Sequence, residues 1–262
     1  MNRIDKYLVE KGYTDSRIKA QKMIEEGLVE CNGKIVAKSS FQVEDGDYVK
    51  VGSSDSFKYV SRGGLKLEKA INVFNIDLQD KTIMDIGSST GGFTDCSLQH
   101  GAKKVIAIDV GTNLLHESLR ANSKVELYEQ TDIRNVSENL FNQIDLIVTD
   151  VSFISLKKII DKIVSTDIKI DIVCLIKPQF ECGKELAKKF KGVVTDKNIH
   201  NDILNDLIRY FNNNGYYILG LDFSPIKGGD GNIEYICYIT NKINKNNYFN
   251  IKNIINNAFN NK

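Results

Sequence analysis

Three histidines and five cysteines are all that 262 residues provide of the usual metal ligands, and no Cys-x-x-Cys pair occurs. That scatter argues against a zinc site, so no metal is expected. The odd cysteine count (Cys31, Cys96, Cys174, Cys182, Cys237) argues against a disulfide scaffold, and the expected setting is a reducing cytoplasm. Charge of one sign is not in excess. The formal net charge is +1, so nucleic-acid binding would have to come from local basic patches. Long hydrophobic runs are missing too. No segment approaches the ~18 apolar residues needed to span a bilayer, and no membrane partner is expected. The opening "MNRIDKYLVEKG" is charged from its third residue, so a secretory signal is not expected. Proline occurs only twice, whereas Asn and Lys crowd the tail "NKINKNNYFNIKNIINNAFNNK", a bias that says little about function.

Hydrophobic residues make up 42% of the chain, enough for a real core. The length suits a small module and a larger domain. Residues 1–52 read as a small α/β unit. Ile4, Leu8 and Val9 recur at helical spacing, and Asp15 or Ser16 can cap a second helix that carries Ala20, Met23, Ile24 and Leu28. An Asn-Gly turn at Asn32-Gly33 then predicts a hairpin. Residues 53–60 read as a polar linker, and residues 61–262 as the larger domain. There, apolar strands are expected at 82–86, 104–109, 125–129, 145–150 and 171–176, with intervening segments long enough for crossover helices. Two later strands, 216–224 and 234–240, lie too close for a helical crossover and predict an antiparallel hairpin. The fold class is therefore α/β: a Rossmann-like, mostly parallel seven-stranded sheet with its last strand antiparallel, plus the small N-terminal α/β domain.

"MDIGSSTGGF" follows the first of these strands. The loop from Gly87 through Ser88, Gly91 and Gly92 to Phe93 can turn tightly and approach a ligand, but its spacing is not GxGxxG. A dinucleotide, a sulfonium cofactor or simple tight packing would each suit it. Asp85 before the loop, Asp109 after the second strand and Asp132 after the third add carboxylates at successive strand ends. Asp85 would suit an α-amino group, Asp109 ribose hydroxyls and Asp132 an adenine amine. A carboxylate beside the loop repels pyrophosphate and favours the doubly cationic S-adenosylmethionine.

Ligand sites in open parallel sheets form outside the carboxyl ends of the strands. Asp150 closes the fourth strand and Lys177 the fifth. Glu234 opens the antiparallel last strand and so belongs to the same edge. Lys66, in "SRGGLKLEKA", precedes the first helix of the domain, beside two glycines that suit a hinge. Singly each is an ordinary solvated charge; together they can hold a hydroxyl, with Lys177 as the candidate general base. In the first unit Arg3, Arg17, Lys19 and Lys22, with Ser16, form a local basic face that can contact RNA phosphates without reading sequence. From charge alone, a solvated helix face is the better reading.

Taken together, "RIDKYLVEKG", "SRIKAQKMIEEGLVECNGK" and "VEDGDYVKV" resemble the RNA-binding module of the ribosomal-protein S-four type. "YVSRGGLKL", "DIGSSTGGFTD", "DVSFISL", "KPQFE" and "GNIEY" resemble the TlyA (haemolysin A) family of ribosomal RNA 2′-O-methyltransferases, whose catalytic domain is FtsJ-like. The resemblance spans Arg3 to about Thr240. It implies S-adenosyl-L-methionine as cofactor, cytidine ribose hydroxyls of ribosomal RNA as substrate, and ribosomal subunits as partners. It also implies a catalytic set Lys66, Asp150, Lys177 and Glu234, and cofactor contacts from Asp85, Ser88, the loop glycines, Phe93, Asp109 and Asp132. A membrane-lytic protein, a non-catalytic RNA-binding assembly factor and a dinucleotide oxidoreductase are the rival readings.

Overall fold

A computed structural model describes residues 2–52 and 58–261, which fold as two compact units, Met1–Lys58 and Tyr59–Lys262. Most of the expected linker, residues 53–57, lies outside the described residues.

In the first unit, β1 (Asn2–Arg3) leads into α1 (Ile4–Glu10), and α2 (Arg17–Glu25) follows. Ser16 is the cap of α2; its hydroxyl accepts from the Lys19 amide at 3.3 Å. Then come β2 (Val29–Cys31), β3 (Lys34–Ile35), β4 (Gln42–Val43) and β5 (Val49–Val51). β2 pairs antiparallel with both β3 and β5, and β1 with β4. Ile4, Leu8, Ala20, Met23, Ile24 and Val29 form the core between helices and strands. Asp5, in the first turn of α1, is fully buried and receives Arg3 at 3.0 Å and Arg17 at 2.8 Å. Hydrogen bonds from Arg3, and then from Arg17 and Gln21, hold its carboxyl well below the usual range against the opposing effect of burial.

The second unit opens with α3 (Gly63–Phe74), then alternates: β6 (Thr82–Ile86), α4 (Gly92–Gln99), β7 (Lys104–Ile108), α5 (Glu117–Arg120), β8 (Val125–Tyr128), β9 (Leu146–Thr149), α6 (Leu156–Ser165), β10 (Asp171–Ile176). It continues through the short α7 (Pro178–Glu181) and α8 (Lys184–Lys189) to α9 (Lys197–Asn213), β11 (Tyr217–Phe223), β12 (Tyr235–Thr240) and α10 (Ile251–Asn260). The seven-stranded sheet has the order β11-β12-β10-β9-β6-β7-β8. β12 alone runs against its neighbours. Between β8 and β9 the expected crossover helix is replaced by two 3-10 turns, Ile133–Asn135 and Glu138–Gln143. Asp132 and Ser137 side chains cap these turns and so divide the segment.

Strand residues alternate between two cores, which is why the strands are apolar throughout. Ile83, Val105 and Val148 face α3 and α4. Met84, Ile106 and Ile147 face α6, α9 and α10. In α3, Leu67, Ala70 and Ile71 recur at helical spacing and are buried, each large side chain contributing about 1.5–3 kcal/mol. Gly63 and Gly64, expected as a hinge, are the first residues of this helix. A Cβ on Gly64 would lie 2.3 Å from the ring of Tyr59, so the glycine is there for close packing. Tyr59 itself is buried in the α3/α4 core.

The Asn-rich tail is structured. Asn246 accepts from the Ile218 amide at 2.7 Å, the Asn247 amide donates to Ile218 O at 2.9 Å, and the Asn247 side chain donates to Leu219 O at 2.7 Å. The tail thus covers β11, one of the two edge strands of the sheet, before α10 buries Ile255 and Ala258.

Candidate active site

The chain reverses its direction of travel across the sheet between β6 and β9, and ligand crevices open at such a point. Ile86 at the end of β6 is in register with Thr149 at the end of β9. The loops that follow therefore emerge side by side. Lys177 leaves the end of β10, Glu234 enters β12 and Lys66 sits in the first turn of α3, inside the helix and not before it.

These four residues do meet. Lys66 Nζ donates to Glu234 Oε2 at 2.6 Å and to Asp150 Oδ2 at 3.3 Å. Lys177 Nζ lies 2.5 Å from Asp150 Oδ1 and donates to Ser152 Oγ at 2.9 Å. The result is a continuous ladder, Glu234–Lys66–Asp150–Lys177–Ser152. Lys66, Lys177 and Glu234 are buried, and charges so placed persist only when paired. Burial works against the Lys66 cation, but Asp150 and Glu234 outweigh it and hold its pKa above the ordinary value.

Two cavities join at this ladder. One, of about 380 Å³, is lined by Ser61, Arg62, Lys66, Ser88, Gly92, Phe93, Asp150, Lys177 and Lys227 among others. The other, of about 600 Å³, is lined by Asp109, Leu114, Asp132, Ile133, Val151, Phe153 and Ile154 among others. Gly87, Ser89, Asp150 and Ser152 line both. The larger cavity has acids at strand ends and apolar walls, which suits a ring carrying polar edges.

The glycine loop divides by role. Gly87, Ser88, Gly92 and Phe93 line the cavities. Gly91 lines neither; its φ is +97° and a Cβ there would meet Leu119 at 2.3 Å, so it seats the turn against α5. Asp109 accepts from the Ser89 amide and the Gly111 amide, both at 2.7 Å, and so braces the loop. The Asp132 carboxylate is committed to the Arg134 guanidinium at 2.9 and 3.0 Å, although Asp132 still borders the larger cavity. Asp85 lines neither cavity. It is fully buried, with Oδ2 accepting from Thr94 Oγ1 at 2.6 Å and Oδ1 lacking a partner among the described residues. Burial pushes its pKa up to about 7; Thr94 opposes this, and the charges of Asp150 and Asp109 add to it.

Two residues of the site escape the sequence reading. Ser152 is the neutral partner of Lys177; its signal is its place two residues after Asp150 in "DVSF". Phe153 is 91% exposed beside the larger cavity, has φ +64°, and its ring centroid lies 5.1 Å from that of Phe180. In the first unit, Arg3 and Arg17 keep 42% and 50% of their side chains exposed while anchored on Asp5. Lys19 pairs with Asp15 at 2.7 Å, and the Ser16 hydroxyl is used as a helix cap.

The sequence matches the FtsJ-like methyltransferase family over residues 59–240 and the S4 domain over residues 2–49. It is 42% identical to Hemolysin A of Brachyspira hyodysenteriae, over 90% of this chain and 98% of that protein. It is 38% identical to the 23S rRNA (cytidine-2′-O)-methyltransferase TlyA of Campylobacter jejuni, over 88% and 97% of the two. A solved structure from Streptococcus thermophilus superposes with a TM-score of 0.74 at 38% identity, covering 98% of this chain and 95% of that one.

Proposed function

Since the chain belongs to the TlyA family of FtsJ-like methyltransferases, we propose that it transfers the methyl group of S-adenosyl-L-methionine to the 2′-hydroxyl of a cytidine in ribosomal RNA. The substrate is ribosomal RNA within ribosomal subunits, and the setting is the cytoplasm. Residues 1–52 are the RNA-binding domain and 61–262 the catalytic domain. The observation that carries the reading is the ladder Glu234–Lys66–Asp150–Lys177 at the junction of two cavities.

The larger cavity takes the cofactor. Asp109 and Asp132 line it at successive strand ends, and in the adjoining smaller cavity the buried Ser88 Oγ has no partner among the described residues. Such an acceptor-rich lining suits a ligand that brings an ammonium and ribose hydroxyls. When bound, the cofactor supplies an electrophilic methyl group on a cationic sulfur. Everything else falls to the protein's side chains.

Lys66, pinned between two carboxylates, remains the cation and fixes the position of Asp150. Lys177 shares that one carboxylate and has a neutral hydroxyl as its other partner. As the neutral amine, its own proton having first gone to solvent, it is the lysine suited to receive the proton of the RNA hydroxyl. Holding the hydroxyl in line with the methyl group supplies much of the rate enhancement. The exposed ring of Phe153 offers a stacking face for a base taken out of its helix. Arg3, Arg17 and Lys22 of the first unit contact phosphates.

The test is transfer of labelled methyl from S-adenosyl-L-methionine to isolated ribosomal subunits, with the modified nucleotide mapped. Incorporation at a cytidine 2′-oxygen is expected. Absence of incorporation into either subunit or intact ribosomes would overturn the reading.

A further inference from the structure

Each half of the Asp150–Lys177 pair stands on its own loop. The first loop, residues 150–155, carries Asp150, Ser152 and Phe153. The second, residues 177–182, includes the single turn of α7 and carries Lys177 and Phe180. The loops touch at the ion pair, at the Lys177–Ser152 hydrogen bond and at the two phenylalanine rings. A further link lies at their far ends. Glu181 of the second loop accepts from Ser155 Oγ at 2.7 Å and from the Leu156 amide at 2.6 Å.

We infer that Glu181 is a positioning residue, a clamp that holds the first loop against the second and so sets the Asp150–Lys177–Ser152 geometry. The inference rests on the proposed methyl transfer. Two features separate a clamp from an ordinary helix cap. Ser155 already caps α6, accepting from the Lys157 amide at 3.3 Å, and Glu181 from another element binds that capping hydroxyl itself as well as the Leu156 amide. The loop it holds also needs holding. Phe153 sits in the left-handed region with its ring almost fully in solvent, a conformation that persists only when its surroundings over-determine it. Burial pushes the Glu181 carboxyl up, against the hydrogen bonds from Leu156 and Ser155 and the nearby Lys157, with Asp206 adding to the rise.

The test uses the full chain carrying Glu181→Gln, Ser155→Ala or both. Glu181→Gln should lower kcat about tenfold while the Kd for S-adenosyl-L-methionine stays within about twofold, since small misplacements of reacting groups are costly. Ser155→Ala should lower kcat about threefold, and the double variant should fall no further than Glu181→Gln alone, as expected of residues sharing one interaction. Multiplying effects, or an unchanged kcat with only a lower Tm, would overturn the clamp. Fluorine NMR of para-fluorophenylalanine at position 153 reads the loop without turnover. One sharp line in the parent chain should broaden or split in Glu181→Gln, and an unchanged line would overturn the inference. Failure of the parent chain to methylate any subunit would overturn the functional reading instead, and the fluorine measurement would still judge the clamp.

Discussion

Two carboxylates in this chain each grip two cations, and the pairs behave differently. Asp5 in the first unit holds Arg3 and Arg17. Asp150 in the second holds Lys66 and Lys177. Around Asp5 the carboxylate is sealed and the guanidiniums reach outward, with 42% and 50% of their side chains exposed. Around Asp150 the burial is inverted: the lysine side chains are 9% exposed and the carboxylate is 18% exposed, at the junction of two cavities. Arginine cannot give up its proton in a protein, whereas lysine can. One arrangement therefore fixes the shape of a cationic surface, and the other can move a proton. Residue type and direction of burial, not the number of charges, separate the two.

The largest effect should come from the lysines. Lys177→Ala should reduce single-turnover methyl transfer by roughly 10²–10⁴-fold, the range for losing a general base, with RNA affinity nearly unchanged. Lys177→Arg should not restore it, because the replacement keeps the charge and cannot accept the proton. If arginine restored turnover, Lys177 would be an electrostatic holder like Arg17, and the contrast would collapse. Next in size is Asp5→Ala, which leaves two guanidiniums without their shared acceptor. Chemical denaturation of the full chain should show the first unit about 1–3 kcal/mol less stable, with methyl transfer at saturating RNA close to that of the parent.

A third prediction concerns Asp85, a fully buried carboxylate with no cation partner among the described residues. Its pKa is raised from 3.8 to about 7, so the folded state favours the neutral acid. The resulting stability is fully present below pH ~4 and is lost as pH rises through about 7. Asp85→Asn removes this dependence. The Tm advantage of Asp85→Asn over the parent, measured without cofactor, should grow by several degrees between pH 4 and pH 8. A constant difference would mean that the buried acid finds compensation at Asp5-like quality. The smallest effect is expected from Arg17→Lys. RNA affinity should weaken only a few-fold, with the salt slope nearly unchanged, since the charge remains and only the fork geometry is lost.

Strand ends were the legible part of the site. Asp150 and Lys177 each follow an apolar run directly, so their convergence at one sheet edge follows from the parallel order of the strands. Glu234 joined them because a short connection implies an antiparallel partner. What stayed hidden depends on contacts between distant segments. Gly64 looks like a hinge until Tyr59 is seen against it. Glu181 looks like one more surface charge until Ser155 and Leu156 come to it from another loop. Asp132 illustrates a local omission: Arg134, two residues on, takes up its carboxylate. The fold was easier than the site because apolar periodicity repeats over whole segments, while a hydrogen bond depends on one atom.

The asparagine tail has a consequence for handling the protein. Its side chains occupy the hydrogen-bonding groups of Ile218 and Leu219 on the edge strand β11. A version cut after Thr240 would keep the entire catalytic ladder and still present a bare, ready-made template to its neighbours. Such a shortened chain, lacking also the α10 residues Ile255 and Ala258 of the core, is expected to be less stable and to self-associate by strand addition as it is concentrated. The low-complexity composition that says least about chemistry therefore guards solubility.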